Sequence, residues 1–166
     1  MKKVILIIFP IVSLVFLLYY NYVSGLKPTD IANNKKIALD FKDNEVQCPE
    51  CHMFLVGKLY TAQAITKDGK THFFDDPGCL VLWLEERKID PKDIIIWFYT
   101  TDTKKWKKYD EVFFSVKDKT PMLYGFGAYE KNKKGFISFK EMRVRMLRGE
   151  NLTNPKIRKR ILQEGS

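Results

Sequence analysis

From Val4 to Leu26 the chain carries no charged residue, and Lys2 and Lys3 stand directly ahead of that run. As a helix rising 1.5 Å per residue the run would cover about 34 Å, enough to cross a hydrocarbon core of roughly 30 Å. Pro10 interrupts it without disqualifying a membrane helix. The two lysines orient such a helix with its N terminus inside and everything after it outside. Residues 1–26 are therefore expected to form a transmembrane anchor. A cleaved signal peptide is the alternative. Val23-Ser24-Gly25, the one candidate cleavage site, matches the small-x-small pattern poorly. Either way the remainder is exported, and residues 1–26 are taken out of the fold.

The roughly 140 residues that follow suffice for one domain with its own core. The chain has 29 Lys and Arg against 20 Asp and Glu, a net charge of +9. In a cytoplasmic protein that balance would suggest nucleic acid. Export removes nucleic acid as a partner and leaves anionic lipid head groups or an acidic protein surface. Residues 27–45 are polar and aperiodic, which reads as a linker. Lys156-Ile157-Arg158-Lys159-Arg160, within 150–166, reads as a solvated basic C-terminal tail rather than a binding patch. The folded domain is then 46–149.

Two similar hydrophobic patterns fill that domain. Tyr60 to Thr66 reads as a strand, Lys67-Asp68-Gly69-Lys70 as a hairpin turn, and Thr71 to Phe74 as the return strand. Asp76 can cap a helix with Pro77 at its first position, and Ile94 to Tyr99 reads as a strand buried on both faces. In the second half Tyr109–Val116 and Met122–Glu130 are strand candidates, and Gly135-Phe136-Ile137 is a short return strand. Ser138-Phe139-Lys140-Glu141 is a capping box opening a helix through Leu147. The expected fold class is α+β: two related ββαβ-type units forming one compact domain after an N-terminal membrane helix.

Cys48-Pro49-Glu50-Cys51-His52-Met53 concentrates two thiols, an imidazole and a thioether in one short stretch. A bare Cys-x-x-Cys fits a redox pair, half a zinc site or a disulfide. A thioether beside a thiolate points instead toward Cu(I), a soft ion suited to soft sulfur donors. Cys79 falls in the first turn of the expected helix, where a buried cysteine acting as a small hydrophobe competes with an activated thiol. His72 lies on a strand, and Met142 and Met146 are spaced for core packing. Two other readings stand beside copper. Cys48, Cys51, His72 and Cys79 have the count and type of a closed structural zinc site, though that set leaves Met53 and Met122 unused. Cys48 and Cys51 could serve a thiol-disulfide oxidoreductase, but the polar residues 40–47 supply no strand leading into a helix N-terminus. No carboxylate pair, nucleophile elbow or phosphate loop is present, so no enzyme is expected.

These motifs carry a resemblance. Alongside Cys48–Met53 stand Lys67-Asp68-Gly69-Lys70-Thr71-His72-Phe73-Phe74, then Asp75-Asp76-Pro77-Gly78-Cys79, and Thr120-Pro121-Met122-Leu123-Tyr124-Gly125-Phe126-Gly127-Ala128-Tyr129. Together they resemble the nitrous oxide reductase accessory proteins of the NosL type, exported copper chaperones that deliver Cu(I) for the copper-sulfide centre of the reductase. The resemblance spans about Val46 to Met146 and implies a fold of two related ββαβ units. It implies Cu(I) ligands at Cys51, Met53 and Met122, with Cys48, His52, His72 and Cys79 as further candidate donors. It also implies a periplasm-facing domain held at the cytoplasmic membrane, with the reductase maturation complex or the reductase itself as recipient. Two departures stand out. Many members are lipoproteins with a cysteine at the cleavage site, and none lies near residue 25 here. Members commonly carry Gly where this chain has His52.

Overall fold

Five antiparallel strands form the main sheet of the computed structural model, which describes the backbone of residues 2–25 and 28–163 and the side chains at 9–21, 28–161 and 163. Their spatial order is β1-β3-β2-β4-β5, with β1 Asp30–Ala32, β2 Ala62–Ile65, β3 Lys70–Phe74, β4 Ile95–Tyr99 and β5 Trp106–Lys108. The β2–β3 hairpin turns where Asp68-Gly69 predicts. Gly69 takes φ 77°, which costs glycine nothing, and its N–H donates to the Thr66 carbonyl at 3.0 Å. Asp76 then caps α2 (Pro77–Glu86), accepting from the Gly78 N–H at 2.8 Å with Pro77 in the first turn. Helix α2 lies on β2 and β3, so Cys79, Leu80, Trp83 and Leu84 are buried beneath it.

Strand β4 departs from the expected double burial. Ile96 and Phe98 are fully buried, while Ile95, Trp97 and Tyr99 are only half-buried. One face of the strand meets the core, and the other carries Trp97 with the Lys108 ammonium 5.8 Å from its ring centroid. Phe98 continues the core into the second half, meeting Phe114 edge-on at 4.9 Å and Phe139 at 5.7 Å.

The second half has far less strand than its hydrophobic pattern suggests. Strands β6 (Phe113–Phe114) and β7 (Ala128–Tyr129) form a two-stranded sheet, with one further bridge from Phe114 to Ile137. Between them the chain is folded into turns. Leu123 at φ 57° and Gly125 at φ 95° bend it, and Gly125 donates to the Thr120 hydroxyl at 3.2 Å. Helix α3 (Phe139–Leu147) starts at Ser138 as its capping sequence requires and packs on α2. Glu141, expected to close the capping box, instead pairs with Arg145 one turn later at 2.8 Å. The first half thus runs strand, strand, helix, strand. In the second half α3 is followed among the described residues by another helix, α4 (Pro155–Gln163).

Two segments read as peripheral also take part in the fold. Within 27–45, expected as a linker, β1 adds to the sheet edge beside β3. The amide side chain of buried Gln63 both accepts from the Leu39 N–H at 2.9 Å and donates to its carbonyl at 2.6 Å. Phe41 packs edge-on against Phe73 at 5.7 Å. The segment covers one face of the sheet; its sparse apolar residues hid that role. Within 150–166, expected as a solvated tail, Asn151 and Leu152 are buried, and Asn154 caps α4 by accepting from the Lys156 N–H at 3.1 Å.

Residues Lys2–Gly25 form helix α1. Its described apolar side chains, Phe9 and most of those from Ile11 to Tyr20, are exposed rather than packed into the domain. Among the described residues no helix is long and apolar enough to cross a membrane. The side chains at 4–8 and 22–26, both ends of the span read as an anchor, lie outside the described residues.

Candidate metal centre

The Cys48–Met53 stretch is a tight turn. Gln47 bridges Phe54, the Cys48 N–H donates to the Met53 carbonyl at 2.9 Å, and the His52 N–H donates to the Cys48 carbonyl at 3.0 Å. His52 closes the turn at φ 60°, a left-handed conformation that costs glycine nothing and a side chain something. The backbone N–H groups of Glu50 and Cys51 point at the Cys48 sulfur.

The turn meets the start of α2. The Cys48, Cys51 and Cys79 sulfurs and a carboxylate oxygen of Asp75 all lie within 4.8 Å of one another. Cys48 and Cys79 are fully buried, Cys51 is half-buried, and all three are free thiols. Asp75 directly follows β3 and precedes the cap of α2, so one corner of the fold delivers both it and Cys79. The Cys51 thiol is 3.1 Å from Asp75 Oδ1, and Asp75 Oδ2 is buried with no hydrogen-bond partner. An orphaned buried carboxylate oxygen carries a desolvation cost that a cation would relieve.

The neighbouring Cys51 and Cys79 thiols, followed by the Cys51 and Glu50 backbone N–H groups, pull the Cys48 pKa far below the ordinary thiol range. The same coupling to Cys48 pushes Cys51 and Cys79 up. Burial, with the Cys48 charge second, lifts Asp75 to about 7.

A loop closes over the start of α2. Asp76 Oδ1 holds the Gly78 N–H, and Oδ2 accepts from the Met122 N–H at 3.1 Å. Burial lifts this carboxyl to about 6. The Tyr124 ring rests on the bare backbone of Gly78: a Cβ there would sit 2.3 Å from Tyr124 Cδ2. Burial raises the Tyr124 hydroxyl to about 12.

The sequence candidates thus fall into three groups. Cys48, Cys51 and Cys79 converge. Met53 and Met122 are each tied by a backbone hydrogen bond to a residue at the centre or beside it, Met53 at the surface and Met122 half-buried. His52 and His72 fall outside the four-residue group. His72 instead lies 4.8 Å from the Trp83 ring and tilted 43° to it, its Nδ1 is buried without a partner, and burial lowers its pKa. Asp75 was not among the sequence candidates. Its signal was a second carboxylate directly before the capping Asp76 and four residues ahead of Cys79. A scan against protein-family models, a search of curated proteins and a search of solved structures each found no match.

Proposed function

We propose that this protein is an exported, membrane-tethered Cu(I) carrier of the NosL type. The convergence of three thiols on one turn and one helix start carries the reading. Sulfur-rich donors suit Cu(I). The half-buried Cys51 leaves the ion a way in and out, while Met53, exposed by 45%, offers a thioether at the rim. Phe54, Val56 and Leu59 beside it are exposed as well, an apolar rim suited to a recipient protein. Cys51, Met53 and Met122 are the cargo ligands in this reading, with Cys48 and Cys79 supplying further thiols. The tether rests on the uncharged run from Val4 to Leu26, and the finer fold reading of two related ββαβ-type units belongs to the same proposal.

One observation favours a second reading. Asp75 supplies a hard oxygen donor that completes a four-donor set with two fully buried thiols, which is the make-up of a closed structural zinc site. In that reading Asp75 takes the place expected of His72.

The recipient in the copper reading is the nitrous oxide reductase maturation machinery or the reductase itself. Deleting the gene should leave a reductase that accumulates as polypeptide but is poor in copper, with partial rescue by added copper. Normal nitrous oxide reduction under copper limitation would refute this recipient.

A further inference from the structure

On the second half of the domain a groove of about 750 Å³ opens between α4, the end of α3 and the turn at Gly135. Its lining is mixed. Lys117, Lys134 and Arg160 supply cations, all three exposed and without an ion-pair partner among the described residues. Arg145 also lines the groove but is held by Glu141 at 2.8 Å. Glu150 is the one carboxylate in the lining. Phe136, Ile157 and Ile161 supply apolar side chains, with the two isoleucines on one face of α4 by their spacing of four. The rest of α4 presents Lys156, Arg158 and Lys159, so the helix is basic and amphipathic, as helices that lie at lipid interfaces are.

We propose that this groove seats an anionic membrane phospholipid. The phosphate oxygens sit among Lys117, Lys134 and the Arg160 fork, and the first acyl carbons run along Phe136, Ile157 and Ile161. Arginine and lysine in one groove meet a phosphate with charge-assisted hydrogen bonds. A free phosphate would use the cations and leave the apolar side chains idle, which is why a lipid fits better. None of these residues belongs to the thiol cluster, so lipid binding here is independent of metal.

The test titrates the full-length chain, held in neutral detergent micelles, with dihexanoyl phosphatidylglycerol, dihexanoyl phosphatidylcholine and inorganic phosphate while amide NMR shifts are followed. Phosphatidylglycerol should saturably shift the amides of Lys117, Gly135 and residues 157–161. Phosphatidylcholine should not, and inorganic phosphate should bind at least tenfold more weakly. Combining Lys117→Gln, Lys134→Gln and Arg160→Gln should weaken phosphatidylglycerol binding on the order of a hundredfold, about fivefold per cation, with the melting temperature unchanged. Equal binding of the two lipids, or undiminished binding by the triple variant, would overturn the assignment. Inorganic phosphate binding as tightly as phosphatidylglycerol would overturn it in favour of a phosphate site.

Discussion

Cys51→Ser should lower the Cu(I) affinity of the reduced protein by more than the ten- to hundredfold typical of changes that only reorient a ligand. Cys51 is the thiol of the cluster that reaches the surface, and its sulfur bonds Asp75. A serine hydroxyl can keep that hydrogen bond, so the variant should fold while losing a soft donor. Cys79→Ser should behave differently. Its sulfur is fully buried beneath α2, and a hydroxyl there costs about 1–3 kcal/mol of stability in addition to the lost donor. Met53→Ile and Met122→Ile should weaken binding without unfolding the domain. Competition against a Cu(I) chelator, with thermal melts run in parallel, separates these outcomes. Undiminished copper binding by both cysteine variants would mean that the cluster is not the site.

The largest stability loss is expected from Trp83→Ala. Trp83 is fully enclosed, with Phe74 edge-on at 5.3 Å, His72 at 4.8 Å and the Arg87 guanidinium 4.9 Å from its ring centroid. Removing a buried tryptophan ring costs about 3–5 kcal/mol, a fall in Tm on the order of 10 °C for a domain of this size. Because Trp83 lies one turn beyond Cys79, the start of α2 should loosen with it. Metal should recover part of the loss, since a ligand that binds only the folded state adds to its stability. A loss under about 1 kcal/mol, measured by denaturant titration, would show that α2 is not anchored through this ring.

Where short-range signals decide structure, the sequence is legible. Asp68-Gly69 sets the hairpin, Asp76-Pro77 starts α2 and Ser138 starts α3, each through one or two backbone hydrogen bonds that the local residues satisfy themselves. Where long-range contacts decide, it is not. Residues 30–41 look like a linker because they carry few apolar groups. What holds them is the buried Gln63 amide bonded to the Leu39 backbone, the Asn33 side chain bonded to the Thr71 hydroxyl at 2.8 Å, and a single ring, Phe41. The apolar stretch from Met122 to Glu130 reads as a strand, yet the Asp76 carboxylate captures the Met122 N–H and the chain turns at Leu123 and Gly125. The candidate centre is half legible in the same way. Cys48 and Cys51 announce themselves by spacing. Cys79 and Asp75 join them only because the β3–α2 corner packs against that turn. His52 takes a left-handed conformation, one that glycine adopts without cost.

The most direct test of the central claim is a metal competition on the fully reduced chain, with Cu(I) and Zn(II) offered together against chelators of known strength. One Cu(I) per chain should be retained and Zn(II) displaced, with copper affinity falling as acid reprotonates the thiols. X-ray absorption should then show a copper shell dominated by sulfur. Zinc held by three sulfurs and one oxygen in the presence of the Cu(I) chelate would contradict the copper reading and leave Cys48, Cys51, Asp75 and Cys79 as a structural zinc site.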